Sequence, residues 1–167
     1  PQGRIGPVEL QDWFRGLMQA VSIATLFQKA EILVLSNVQV LGQLHEVDLY
    51  SEALARMRLG GISVRVIREC FETIEQVNQA FKLAVQEGKD LVFVSTFLHY
   101  LRVQWLIWRH PCTASVKVKH YGAFGIPRPR EALTDIILTT IFPLLDLFGY
   151  RQKFLDAANR RRKGGKH

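Results

Sequence analysis

His99 and Arg102 stand three residues apart in Phe97-Leu98-His99-Tyr100-Leu101-Arg102, a spacing that puts both on one face of a helix. An imidazole titrates near neutral pH and a guanidinium offers a planar, bidentate donor, so the pair suits a phosphate or a carboxylate. Ser95-Thr96 lie just ahead, after the apolar run Leu91-Val92-Phe93-Val94. Thr73, Glu75 and Gln76 follow a second run, Val64–Arg68, and Ser36-Asn37 follow a third, Ile32–Leu35. In an open α/β sheet, ligands bind outside the carboxyl ends of the strands. The three polar groups are therefore expected to meet on one rim. There Arg102 and the N–H groups after Ser95 would hold an anion, with His99 and Glu75 as acid/base candidates.

A plainer reading competes at each position. Thr73 stands where a helix N-cap belongs, with Glu75 or Gln76 near the place of a capping-box partner. Ser95-Thr96 can cap the next helix, and His99 with Arg102 can form a surface pair with a carboxylate. As an exposed rim residue, Arg102 would add little to folding.

The elements that must position these residues alternate along the chain. Apolar residues recur at helical spacing from Val8 to Lys29, including Leu10, Trp13, Phe14, Leu17, Met18, Val21 and Leu26. Ile32–Leu35 is a short continuous apolar run, as expected of a strand buried on both faces of a parallel sheet, and parallel strands are expected over 32–36, 63–68 and 91–95. Between them, Asp48 or Ser51 caps a helix that Gly60-Gly61 ends, and Ile74, Val77, Phe81, Ala84 and Val85 mark an amphipathic helix. His99 to Arg109 is helical and stops before Pro111. Ser115–His120 alternates with period two, as a half-exposed edge strand does. After a Gly/Pro loop over 122–130, helices are expected at Glu131–Phe148 and Tyr150–Arg162. The apolar part of the first is too short to span a bilayer, which needs roughly 20 residues. Strands alternating with helices predict a three-layer α/β/α, Rossmann-like domain over residues 1–159 with a mostly parallel sheet, followed by a tail over 160–167.

Length and composition fit one globular domain. The net charge of +7 is largely local, because Arg160, Arg161, Arg162, Lys163 and Lys166 carry five charges and leave +2 for the rest. The body is thus no specific nucleic-acid binder. The tail reads as a solvated terminus, with weak contact to an anionic membrane or nucleic acid as the alternative. Cys70 and Cys112 have no metal-ligand spacing and read as reduced thiols, which points to the cytoplasm, with membrane association through the tail as the alternative. No signal-peptide pattern is legible, and the chain opens at Pro1 rather than a methionine, which leaves room for sequence upstream. Phosphate-loop, dinucleotide, nucleophile-elbow and zincin motifs are absent.

Several short motifs in order resemble the YdcF-like family. Ser51-Glu52-Ala53 heads a helix, Glu69 follows a strand, and Thr73-Ile74-Glu75-Gln76 is similar to the family's T-x-E-N. Val94 to Val103 is similar to its V-T-S-x-Y-H-x-x-R-A, and Ile32–Asn37 falls where the family has a strand ending in S-G-G. The resemblance runs from Ile32 to Trp105. It implies a Rossmann-like domain of the SanA/ElyC type, with Glu52, Glu69, Thr73, Glu75, Ser95, His99 and Arg102 lining a pocket. S-adenosylmethionine or a nucleotide is the implied cofactor or ligand, and an envelope precursor a further candidate. The departures are Ser36-Asn37-Val38 in place of S-G-G, Gln76 in place of asparagine, and Leu98 in place of the tyrosine before the histidine. The family's first strand has no match before Val8. It is expected either upstream or lost in a divergent member, and the second case would make the chain a non-catalytic scaffold docking through its apolar C-terminal helix and basic tail.

Overall fold

The computed structural model describes residues 7–36, 39–41, 44–57, 59–123, 140–154 and 156–157. Asn37, the tail from Arg160, and most of the loop and helix expected over 122–139 lie outside the described residues. Helix α1 (Pro7–Ala24) leads into strand β1 (Glu31–Leu35), and a small antiparallel hairpin, β2 (Gln39–Leu41) with β3 (Leu44–His45), precedes α2 (Glu46–Ala55). Then follow β4 (Ser63–Ile67), α3 (Thr73–Glu87), β5 (Leu91–Thr96), α4 (Phe97–Arg109), a 3₁₀ turn at Pro111–Ala114, and β6 (Val118–Ala123). Further helical backbone covers 140–147 and resumes at 151.

The fold is α/β, and its larger ladders are parallel. Strand β1 pairs with β4 from Glu31↔Ser63 to Leu35↔Ile67, and β5 pairs with β6 from Leu91↔Val118 to Thr96↔Ala123. The single sheet expected from the sequence is instead two parallel pairs, because no described strand lies between β1 and β5. Successive strand residues point to opposite faces, and β1 uses both. Ile32 and Val34 pack with Leu17 and Ala24 of α1 and Val47 and Leu54 of α2. Leu35 turns the other way, onto the cluster that Ile74, Val77, Phe81, Leu91, Val103, Leu106 and Phe142 form. Helices therefore cover both faces, and the core is divided into two clusters, with β1 contributing to each.

Local sequence explains the elements that bear on function. In α3, Ile74, Val77, Ala80, Phe81 and Ala84 form one buried stripe, as a core-facing helix requires. Its N-cap is Glu72, not Thr73: the Glu72 side chain accepts from the Glu75 backbone, and Glu75 reciprocates. Gly88 ends it with φ of 62°, a left-handed conformation that a Cβ disfavours, and its N–H reaches the Ala84 carbonyl. Helix α2 starts earlier and ends earlier than its expected caps. Asp48 is held by Arg68 instead, and the Ser51 hydroxyl donates to the Val47 carbonyl within the helix. Strand β6 begins at Val118 rather than Ser115, because Val116 is drawn into the core behind the Pro111–Ala114 turn.

Polar clamps fix the rest. Buried Asp146 accepts from Trp105 Nε1 at 2.9 Å and takes both Nε and Nη2 of Arg151, which ties residues 140–151 to α4. Burial raises the Asp146 pKa, but the Arg151 and Trp105 hydrogen bonds outweigh it, so the carboxyl lies below its usual range. At the amino ends of the strands, Glu31 accepts from Arg65 Nε at 2.8 Å and from Lys89 Nζ at 2.9 Å. Among the described residues, no helix is long and apolar enough to cross a membrane.

Candidate functional site

A cleft of about 990 Å³ runs between β1 and β5. Strand β5 passes directly into α4 at Thr96–Phe97, which sets His99 in the first turn of that helix and Arg102 one turn further along the same face. Of the candidate residues, Ser36, Thr73, Gln76, Ser95, Thr96, His99 and Arg102 all line this cleft.

Arg102 is the centre of the group. Its Nη2 donates to Thr73 Oγ1 at 2.8 Å and lies 2.7 Å from His99 Nδ1. Because arginine can only donate, Nδ1 of His99 accepts, and the proton of the neutral ring sits on Nε2. The side chain is 8% exposed, which overturns the expectation of an open rim arginine. Helix α4 turns that face inward, beside buried Val103 and Leu106.

The other candidates are placed differently. Glu75 is bound into the start of α3, where its Oε2 accepts from the N–H of Phe71 at 2.7 Å and of Glu72 at 3.1 Å. Its structural duty is capping, and the cleft does not include it. Glu52 lies exposed on α2 and pairs with Arg56 one turn on. Glu69 is also exposed, outside the cleft; with Glu75 it adds a smaller contribution to burial in pushing the Cys70 thiol up to about 11.

Two groups near the site escaped the sequence reading. Glu46 lines the cleft, accepting from the Ser36 hydroxyl at 2.8 Å and the Tyr50 hydroxyl at 3.3 Å. Burial, with the Glu46 charge behind it, pushes the Tyr50 phenol far up. An acidic residue in a first helical turn, one turn before Tyr50, was the available signal. His120, read from the sequence only as the last residue of the 115–120 edge strand, is the second. Its Nε2 lies 2.8 Å from Ser95 Oγ, its Nδ1 lies 3.0 Å from Gln104 Oε1, and its ring stacks on Tyr100 at 4.1 Å. Burial holds it at about 4, so it is neutral at pH 7. With Gln104 Oε1 accepting from Nδ1–H, Nε2 is left to accept the Ser95 hydroxyl proton. Neighbouring Gly122 makes room for the Tyr100 ring, since a Cβ there would stand 3.3 Å from Tyr100 Cδ2.

No protein-family model, curated protein or solved structure matches the chain. Among the described residues, no three His, Cys, Asp or Glu side chains are grouped so as to hold a metal ion.

Proposed function

We propose that the carboxyl rim of the cleft binds a small molecule bearing a phosphate or carboxylate, of the nucleotide, S-adenosylmethionine or envelope-precursor class that the YdcF-like resemblance implies. The observation that carries this reading is the convergence of Thr73, Ser95, His99 and Arg102 on one cleft, with Arg102 held in place by Thr73 and His99. A guanidinium fixed before the ligand arrives loses little rotamer freedom on binding. The first amides of α4 add donors and the positive end of a helix dipole. His99, presenting Nε2–H, is the acid/base candidate. Ser95, whose proton His120 can accept, is the hydroxyl best placed to join the chemistry.

A thermal-shift screen with inorganic phosphate, adenine nucleotides, S-adenosylmethionine and sugar phosphates tests this. A ligand present at 100 times its Kd should stabilise the chain by about 2.7 kcal/mol. Replacing Arg102 by alanine should weaken binding by about 1.5–3 kcal/mol, the worth of hydrogen bonds to a charged group. Failure of every anion to shift the midpoint, or equal affinity in the Arg102→Ala protein, would count against the site. The scaffold reading has one observation in its favour: Ile141, Leu144, Leu147 and Phe148 present an exposed apolar stripe. It would then take precedence.

A further inference from the structure

We propose that Ser95 is a nucleophile and His120 its general base, serving the hydrolysis of a carboxylic ester through an acyl-enzyme at the cleft wall. The reaction belongs to the same cleft as the anion site, and it rests on that reading only for how a substrate's charged end is held.

The chain puts Ser95 at a strand–helix junction. Strand β5 ends at Thr96 and α4 begins at Phe97, so a hydroxyl one residue before the N-cap stands beside the first turn of a helix. The amide groups of that turn find no partner within the helix, and the Thr96 side chain does not cap them. Negative charge developing on a carbonyl oxygen beside Ser95 would meet those donors, as an oxyanion requires. Ser95, Thr96 and His99 all line the cleft, so a substrate seated in it lies against this junction. Among the described residues only glycines have positive φ, so extended strand backbone presents Ser95, not a strained elbow.

The base is held on several sides. A catalytic triad is defined by geometry: nucleophile and base within hydrogen-bond reach, and a third group that orients the base. His120 Nε2 lies 2.8 Å from Ser95 Oγ, and its Nδ1 lies 3.0 Å from Gln104 Oε1. An amide oxygen can only accept, so it fixes the ring proton on Nδ1 and leaves the Nε2 lone pair toward Ser95. Tyr100 stacks on the ring at 4.1 Å with the planes 8° apart, and Phe93 meets it in a T-shaped contact at 6.3 Å. Side chains from β5, α4 and β6 thus converge on one imidazole. A bond that merely satisfied two half-buried polar groups would need neither the cleft position of Ser95 nor a fixed tautomer.

Atoms balance with water as the co-reactant. As Ser95 Oγ bonds to the carbonyl carbon, its proton passes to His120 Nε2. The tetrahedral adduct collapses, the bond to the leaving alcohol breaks, and His120 returns the proton to that oxygen. Water then attacks the acyl-serine, its proton passes through His120 to Oγ, and the acid leaves. Gln104 is neutral, so no carboxylate supports the imidazolium formed on the way, and burial makes that cation costly. Turnover is therefore slow, and a carboxylate at position 104 should speed it.

Diisopropyl fluorophosphate, a small neutral probe, tests the nucleophile in the full chain. Its phosphorus should bond to Ser95 Oγ with loss of fluoride, and peptide mass spectrometry should find that label absent from the Ser95→Ala protein. His120→Gln should slow labelling by about a hundredfold or more, the low end of what a general base supplies. 4-Nitrophenyl acetate should release a burst of about one nitrophenolate per chain before a slower steady phase. No label at Ser95, or an equal rate in the His120→Gln protein, would overturn the proposal. Should that variant not fold, position 104 decides. Gln104→Glu should label faster than the parent, and Gln104→Met, which keeps the shape without the acceptor, about tenfold slower or more. Equal rates in those two variants would overturn the proposal as well. Titration with inorganic phosphate keeps the two readings apart. Labelling that fails in a protein that binds phosphate removes the nucleophile and leaves the anion site. Labelling that succeeds where phosphate does not bind upholds the nucleophile and removes the anion site.

Discussion

His120 illustrates what a single side chain contributes that its sequence position conceals. Phe93 of β5 faces His120 of β6 across the ladder, and that register brings the imidazole within reach of Ser95. Residues 25 apart in sequence meet only because two strands pair, so no spacing rule could have found them. Burial depresses the pKa from 6.5 to about 4, so the unfolded chain binds the proton more readily than the folded one. Stability should accordingly be full above pH 6.5 and fall as the pH drops toward 4, by about 1–2 kcal/mol after allowance for solvent screening. Urea unfolding at several pH values checks this, and His120→Gln should flatten that part of the profile. Arg102 shows the complementary case. Its three-residue spacing from His99 was legible, but its burial was not, because that depends on how α4 is rolled against its neighbours. Arg102→Ala should therefore lose stability as well as ligand affinity, by about 1–3 kcal/mol from the hydrogen bonds that Thr73 and His99 lose. Chemical denaturation without ligand measures that part alone.

At the scale of elements, periodicity carried most of the information. The runs over 32–36, 63–68 and 91–95 became strands within a residue of their limits, and the apolar stripe of α3 faces the core as its spacing requires. Helix ends were harder, since several polar residues could cap each one and tertiary contacts choose among them. At α3 the choice fell on Glu72 with Glu75, which removes Glu75 from the acid/base candidates that the cleft can use. Glu75→Ala should cost about 0.5–2 kcal/mol of stability and leave anion affinity within about twofold (0.4 kcal/mol). Denaturation and calorimetry on one variant separate the two roles, and a large loss of affinity would restore Glu75 to the site. Asp146 anchors a different element. Asp146→Ala deprives Trp105 and Arg151 of their shared acceptor and should destabilise by about 2–4 kcal/mol. A thermal midpoint unchanged by that substitution would mean that residues 140–151 do not depend on the clamp.

On the scale of the molecule, the α/β class followed from the alternation of elements, and the gathering of Ser36, Thr73, Ser95, His99 and Arg102 followed from the rule that strand ends share a rim. What local pattern could not convey was pairing. The sequence of a strand states that it is buried, not which neighbour it lies beside, so the division of the sheet into two pairs emerged only in three dimensions. Thr96, His99 and Arg102 line the cleft between the two pairs, and the proposal is that an anion binds there. Titration of inorganic phosphate into isotope-labelled protein, followed by backbone and arginine side-chain NMR, tests this central claim most directly. Saturable shifts should concentrate on Thr73, Thr96, His99 and the Arg102 Nε–H, and vanish from that set in the Arg102→Ala protein. Shifts that never saturate, or that spread over exposed lysines while Arg102 and His99 stay still, would contradict it.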